Sequence, residues 1–218
     1  MPAARSLVPT GLACALVLLV FAAAVDALTR GLEHWTFESA RRSDALQQRL
    51  AASSLVVRTA QGRDLPLWPA ASTASADARV YLLDFIYTSC PGVCQTLGAE
   101  FAQLQRQLAD SPRHGAGVVL LSLSFDLERD GTDELARYAQ RHGADGSRWW
   151  VAAPRSSADS RRLLQELAVI AVPDGQGGYV HNGAIHLLDG AGRVHAIFDT
   201  AQWREALVAA NRLAQAGP

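Results

Sequence analysis

Long apolar runs separated by mixed, periodic stretches predict most of this chain's elements. The first run, GLACALVLLVFAAAV (11–25), follows Arg5 and is uninterrupted. It reaches about 19 residues if Asp26 sits at an interface, a length between a signal-peptide core and a full membrane span. Residues 1–29 therefore read as a transmembrane anchor or a signal segment, with small residues in FAAAVDA where a signal peptidase could cut. Residues 30–54 are polar with helical spacing and lack a deep apolar stripe, as expected of a juxtamembrane stalk. A folded domain is expected over 55–218. It opens on two strand-like runs around Gln61-Gly62, a hairpin signal, followed by a small-residue loop at 69–78.

RVYLLDFIY (79–87) and GVVLLSLSF (117–125) are nearly continuous apolar runs, the pattern of strands buried on both faces. Between them Leu97, Phe101, Leu104 and Leu108 recur at helical spacing up to Ser111-Pro112. A second helix is expected at 131–142 with Leu135, Tyr138 and Ala139 inward, then a short strand at 148–153. A third helix is expected from Ser157 to Ile170 with Leu163, Leu164, Leu167 and Ile170 on its core face. After a Gly175–Gly178 loop, GAIHLLD and RVHAIFD flank Gly190-Ala191-Gly192 as a hairpin, and Trp203, Leu207, Ala210 and Leu213 give a closing helix. Strands and helices in this order make an α/β sandwich.

Composition narrows the function. At 218 residues with net charge −1 of mixed signs, the chain shows neither a nucleic-acid surface nor a polybasic membrane patch. Its basic side chains are arginines with no lysine, which fits a GC-rich bacterial genome. A domain of this size can bury a core without a disulfide framework. Only three cysteines occur; Cys14 lies inside the apolar run and reads as a small lipid-facing hydrophobe.

The other two, Cys90 and Cys94 in YTSCPGVCQTLG (87–98), fall where an apolar strand turns into a helix, the end of the sheet at which open α/β folds keep their chemistry. Spacing i, i+4 is expected to put both on one helix face with Cα atoms about 6 Å apart, inside the disulfide range. Free amides at a helix N-terminus favour thiolate, and two thiolates are soft ligands for copper(I) or zinc. A disulfide, a redox pair and a metal site all remain open at this level. A metal would need a third donor. Among His34, His114, His142, His181, His186 and His195, composition makes none of them a ligand in preference to a solvated imidazole, although His181 stands in a loop that could reach the strand ends.

Three blocks in order resemble the Sco/SenC family. Tyr87-Thr88-Ser89-Cys90-Pro91-Gly92-Val93-Cys94 matches its Phe/Tyr-Thr-x-Cys-Pro-x-x-Cys motif. SFDLERD (124–130) retains Ser124, Asp126, Glu128, Arg129 and Asp130 of a Ser-x-Asp-Pro-Glu-Arg-Asp block. VHNGAIHLLDGAG (180–192) matches a His, apolar strand and Asp-x-x-Gly turn, selecting His181 and placing His186 where an aromatic residue is usual. The resemblance covers about 55–215. It implies a thioredoxin-like fold and copper, as Cu(I) or Cu(II), held by Cys90, Cys94 and His181, with Cys90 and Cys94 able to close a disulfide when oxidised. It further implies a chaperone, not an enzyme with a small substrate. Its partners would be the copper-site subunit of cytochrome c oxidase or another copper chaperone, and the membrane through the N-terminal helix. It would sit in a bacterial inner membrane with its domain in the periplasm. Four positions depart from the family pattern: Gly92, Gln95, Leu127 and Val180, the last replacing an acidic residue before the histidine.

Competing readings start from the same residues. A thiol–disulfide oxidoreductase would use Cys90 to attack and Cys94 to resolve. A thiol peroxidase would need Thr88 and Arg129 beside the thiolate. The carboxylates Asp126, Glu128 and Asp130 suggest calcium or acid–base work, but a structural reading is preferred. In it Asp130 or Thr132 caps the helix at 131–142, while Glu128 and Arg129 pair or face solvent. Trp149 and Trp150 are read as packing residues.

Overall fold

The computed structural model describes residues 8–69, 78–110 and 117–216. Most of the small-residue loop, Ser111-Pro112 and His114 lie outside the described residues. The chain divides into two compact units, Met1–Ser43 and Asp44–Pro218. The first holds α1 (Val8–Thr29) and most of α2 (Phe37–Leu46). Residues Pro9–Thr29 have a mean hydropathy of 2.4 and none of them is buried, so this helix is long and apolar enough to cross a membrane. Its 22 residues at 1.5 Å each span about 33 Å, close to a hydrocarbon core of about 30 Å. On α2 Glu38 pairs with Arg41 and Arg42 one turn later, at 2.9 and 3.1 Å.

In the second unit the elements run β1 (Leu55–Thr59), β2 (Asp64–Leu67), β3 (Val80–Ile86), α3 (Val93–Asp110), β4 (Val118–Ser124), α4 (Thr132–His142) and β5 (Trp149–Pro154). They continue α5 (Ser157–Glu166), β6 (Ala171–Pro173), β7 (Tyr179–His181), β8 (Ile185–Leu188), β9 (Val194–Phe198) and α6 (Trp203–Ala216). Seven strands form one sheet in the order β2-β1-β5-β4-β3-β8-β9. Its centre, β3, β4 and β5, is parallel, and the flanking strands are antiparallel.

Every residue of β3 and β4 is buried. Alternation sends successive side chains to opposite faces, so both faces of these strands need cover. Leu82, Ile86 and Leu120 pack with Leu97, Phe101 and Leu104 of α3, Tyr138 of α4 and Ala206 of α6. Tyr81, Leu83, Phe85 and Leu121 pack on the other side with Leu163 and Leu167, together with Trp68, Ala45 and Ala52. Residues 44–52 thus contribute to that second core. Trp149 is fully buried and its indole N–H donates to Ser122 Oγ at 3.0 Å, while Trp150 is half-buried under the Arg79 guanidinium.

Two helix boundaries differ from expectation. The helix predicted to Ile170 ends at Glu166, and Ile170 is 45 % exposed. The backbone turns at Ala168, whose φ is +50°, and leads into β6, so Ile170 leaves the apolar stripe. Nor do Asp130 or Thr132 cap α4: Gly131 is its N-cap residue, without a side-chain bond. Asp130 is committed instead to the cysteine turn described below.

Gly98, one turn beyond Cys94 on α3, faces His142 at the end of α4. A Cβ there would lie 2.5 Å from the His142 ring, which is itself packed on Tyr138. Gly98→Ala is expected to destabilise the protein by about 1–2 kcal/mol despite its helix propensity, because the overpacking cost exceeds the propensity gain. A lowered urea midpoint would register it; an unchanged or raised midpoint would mean His142 swings aside freely.

Candidate metal centre

The cysteine turn begins where β3 stops. Cys90 N–H donates to the Tyr87 carbonyl at 3.1 Å, and α3 starts only at Val93. Only Cys94 is therefore helical, rather than both cysteines lying on one helix face. Pro91 is the reason: a residue before proline is disfavoured in the α region, which keeps Cys90 out of the helix. Cys90 Sγ instead sits over the helix start and accepts the Cys94 amide N–H at 3.4 Å. Gln95 donates its side-chain amide to the Cys90 carbonyl at 3.1 Å, and the Tyr138 hydroxyl donates to the Cys94 carbonyl at 3.0 Å.

The second block clamps this turn. Asp130 accepts the Thr88 amide at 2.8 Å and the Thr88 hydroxyl at 2.6 Å, and also the Ser124 hydroxyl. Asp126 pairs with Arg129. Both buried carboxylates are engaged with protein groups, which leaves the structural reading of this acidic cluster in place.

The third block supplies His181. Its Nε2 lies 3.8 Å from Cys94 Sγ, across 87 residues of sequence. One ligand atom from each of Cys90, Cys94 and His181 falls within 4.8 Å of the others. Both thiols are buried and unbridged. Phe125 and Tyr87 stand edge-on to the imidazole, with ring centroids 5.5 and 6.2 Å away. A cavity of about 720 Å³ opens beside Cys90, lined in part by Pro91, Gly92, Arg129 and Tyr179.

The two thiols differ. Burial works against the Cys90 thiolate, but the Cys94 thiol, the amides of Cys94 and Gly92 and the Tyr87 hydroxyl outweigh it, and its pKa falls. Cys94 is pushed well up, by burial first and then by its neighbour Cys90. Burial lowers the His181 pKa and keeps the ring neutral, the form with a free lone pair. Below them on β3, Asp84 is fully buried and pushed up to about 7 by burial.

A SCO1/SenC family model matches residues 69–215. The chain belongs to the SCO1/SenC family. The SCO1 protein homolog of Bacillus subtilis (strain 168) is 26 % identical over 125 residues, which is 56 % of this chain and 63 % of that relative. Among solved structures, BsSco, a member of the Sco family of cytochrome c oxidase assembly proteins, superposes with a TM-score of 0.63 at 18 % identity, covering 76 % of this chain and 94 % of that one. Bradyrhizobium japonicum ScoI with copper bound gives 0.57 at 21 % identity, covering 75 % and 99 %. These likenesses establish a thioredoxin-like Sco fold.

Against the SCO1/SenC pattern, the departures now have consequences. Gln95 caps the Cys90 carbonyl. With Val180 in place of an acidic residue, His181 Nδ1 is buried and has no hydrogen-bond partner among the described residues. A metal-bound histidine usually donates that N–H to an acceptor that fixes its tautomer. The other histidines are placed elsewhere. His142 packs on Tyr138, and His186 is buried against Phe85. His195 bonds Asp189 at 3.0 Å, and His34 belongs to the N-terminal unit. Sequence reasoning missed Asp84, hidden within an apolar run, and the contacts of Arg129, which only folding brings to the histidine's hairpin.

Proposed function

We propose that this SCO1/SenC protein is a membrane-anchored copper chaperone. Cys90, Cys94 and His181 take copper as cargo, and α1 holds the domain on the periplasmic side of a bacterial inner membrane. The recipient is the copper-site subunit of cytochrome c oxidase, which receives copper from this domain or has its own thiols kept reduced by it. The convergence of two sulfurs and one neutral imidazole within 4.8 Å carries this reading. Two thiolates and an imidazole leave Cu(I) with a net charge of about −1 and Cu(II) near neutrality, so one site tolerates both states. Few ligands and an adjoining cavity let an incoming donor attack before the first ligands leave.

Titration of the reduced, detergent-solubilised full chain with Cu(I) and with Cu(II), followed by thiolate-to-copper absorption, tests the assignment. One equivalent of each is expected to bind. Failure to bind either stoichiometrically removes the carrier function.

The unequal thiols favour a second activity, thiol–disulfide exchange. A low-pKa Cys90 attacks a disulfide sulfur and releases one substrate thiolate; Cys94 then displaces the other, leaving a Cys90–Cys94 disulfide and a reduced substrate. On this reading His181 is dispensable, whereas the carrier needs it.

A further inference from the structure

His181 reaches the sulfurs from an element that the main sheet does not hold. Among the described residues, strands β6 and β7 pair only with each other, over Ala171↔His181, Val172↔Val180 and Pro173↔Tyr179. A two-stranded hairpin of three residue pairs is marginal by itself, so its placement depends on tethers. At the base, Asn182 accepts the Ile170 amide at 2.8 Å and donates to the Ala168 carbonyl at 3.3 Å. At the middle, the Tyr87 hydroxyl accepts the Tyr179 amide and donates to the Tyr179 carbonyl, both at 3.3 Å, geometry near the long limit for such bonds.

Among the described residues, one side chain from outside the hairpin bonds its far end. Arg129 donates through Nε to Asp126 and through a terminal nitrogen to the Gly177 carbonyl, and its guanidinium lies 5.4 Å from the centre of the Tyr179 ring. Asp126, which anchors it, is almost fully buried, so the arm starts from a fixed point next to the clamped cysteine turn. Arg129 itself is 42 % exposed. The Tyr179 hydroxyl also donates to Asp126 Oδ1, but at 3.5 Å. Among the described contacts of the hairpin with the cysteine framework, Arg129 supplies the charged donor, a stronger kind of bond.

We propose that Arg129 is a positioning residue for His181. It closes the hairpin over the cysteines and thereby sets how often the imidazole is within reach of them. The inference rests on the metal reading for its significance and not for its geometry. Without Arg129 the hairpin is expected to open about ten times more often, the effect of removing one charge-assisted hydrogen bond.

The test compares the wild-type full chain in detergent with Arg129→Gln and Arg129→Lys. Copper-free protein is treated with diethyl pyrocarbonate, and modification of His181, His142 and His195 is followed by mass spectrometry. Arg129→Gln should raise the His181 rate about tenfold while leaving the other two unchanged, with Arg129→Lys falling between. Arg129→Gln should bind Cu(II) up to about tenfold more weakly, with weakened nitrogen coupling in its electron paramagnetic resonance spectrum, while still binding Cu(I) stoichiometrically. An unchanged His181 rate and spectrum would overturn the inference. So would faster modification of all three histidines or a collapsed melting transition, because Arg129 would then be a scaffold residue. If the wild type binds no copper, the carrier function fails, and the selective His181 rate still decides the role of Arg129.

Discussion

Substituting alanine for His181 is expected to lower Cu(II) affinity at least a hundredfold while leaving Cu(I) binding within about tenfold of wild type. Cu(I) is satisfied by two soft thiolates, whereas Cu(II) depends on the nitrogen donor. Serine at Cys94 should instead abolish tight binding of both states, because one hydroxyl cannot replace a thiolate for either. pH adds a second signature. Cys94 holds its proton strongly, so loading copper must expel that proton, and affinity should fall as pH is lowered. His181 adds little to this slope, since burial keeps it neutral further into the acid range than a free imidazole. Competition titrations of the three proteins against chelators, repeated across pH, measure each of these. Equal losses of Cu(I) and Cu(II) binding in His181→Ala would show that the imidazole is no selective donor. Thiol exchange measured on the same variant separates the two proposed activities: exchange should survive the loss of His181.

The largest stability effect is expected at Asp84. Its side chain shares a face of β3 with Leu82 and Ile86 and is fully buried. Among the described residues neither carboxylate oxygen meets a donor at good geometry, and the Ser122 hydroxyl nearby offsets only part of the burial cost. Folded, the carboxyl keeps its proton up to about 7; unfolded, it releases the proton near the ordinary 3.8. Stability from this group is therefore fully present below pH 4, declines as pH rises between those values and is lost above pH 7. The interval corresponds to as much as about 4 kcal/mol. Asp84→Asn removes the ionisation. Its unfolding free energy should match that of wild type in acid and exceed it increasingly towards neutral pH. Denaturant unfolding of both full-length proteins over pH 4–8 gives the difference directly. Parallel profiles would mean that Asp84 is ionised without penalty.

Much of the architecture was legible because burial imposes a period. Two-sided burial produced the unbroken apolar runs of β3 and β4, and one-sided burial the 97, 101, 104, 108 stripe of α3. Element ends were harder. The stripe of α5 continued on paper to Ile170, but a single positive φ at Ala168 redirected the chain. Asp130 looked like a helix cap because local bonding is the default for an aspartate beside a helix. Its actual donors, Thr88 and Ser124, come from the ends of two adjacent parallel strands. Asp84 was invisible for a different reason: one polar letter in an apolar run does not say whether a donor awaits it inside.

By itself the sequence determined that Cys90 and Cys94 sit together at the end of a buried strand, since four residues and a proline leave little freedom, and family resemblance singled out His181. Folding alone decided that the imidazole lies 3.8 Å from a sulfur and that Arg129 reaches Gly177. Local periodicity reports which way a side chain faces. A contact across 87 residues depends on how β8 pairs with β3 and on what tethers a hairpin outside the sheet, and neither is written in the spacing of any one segment.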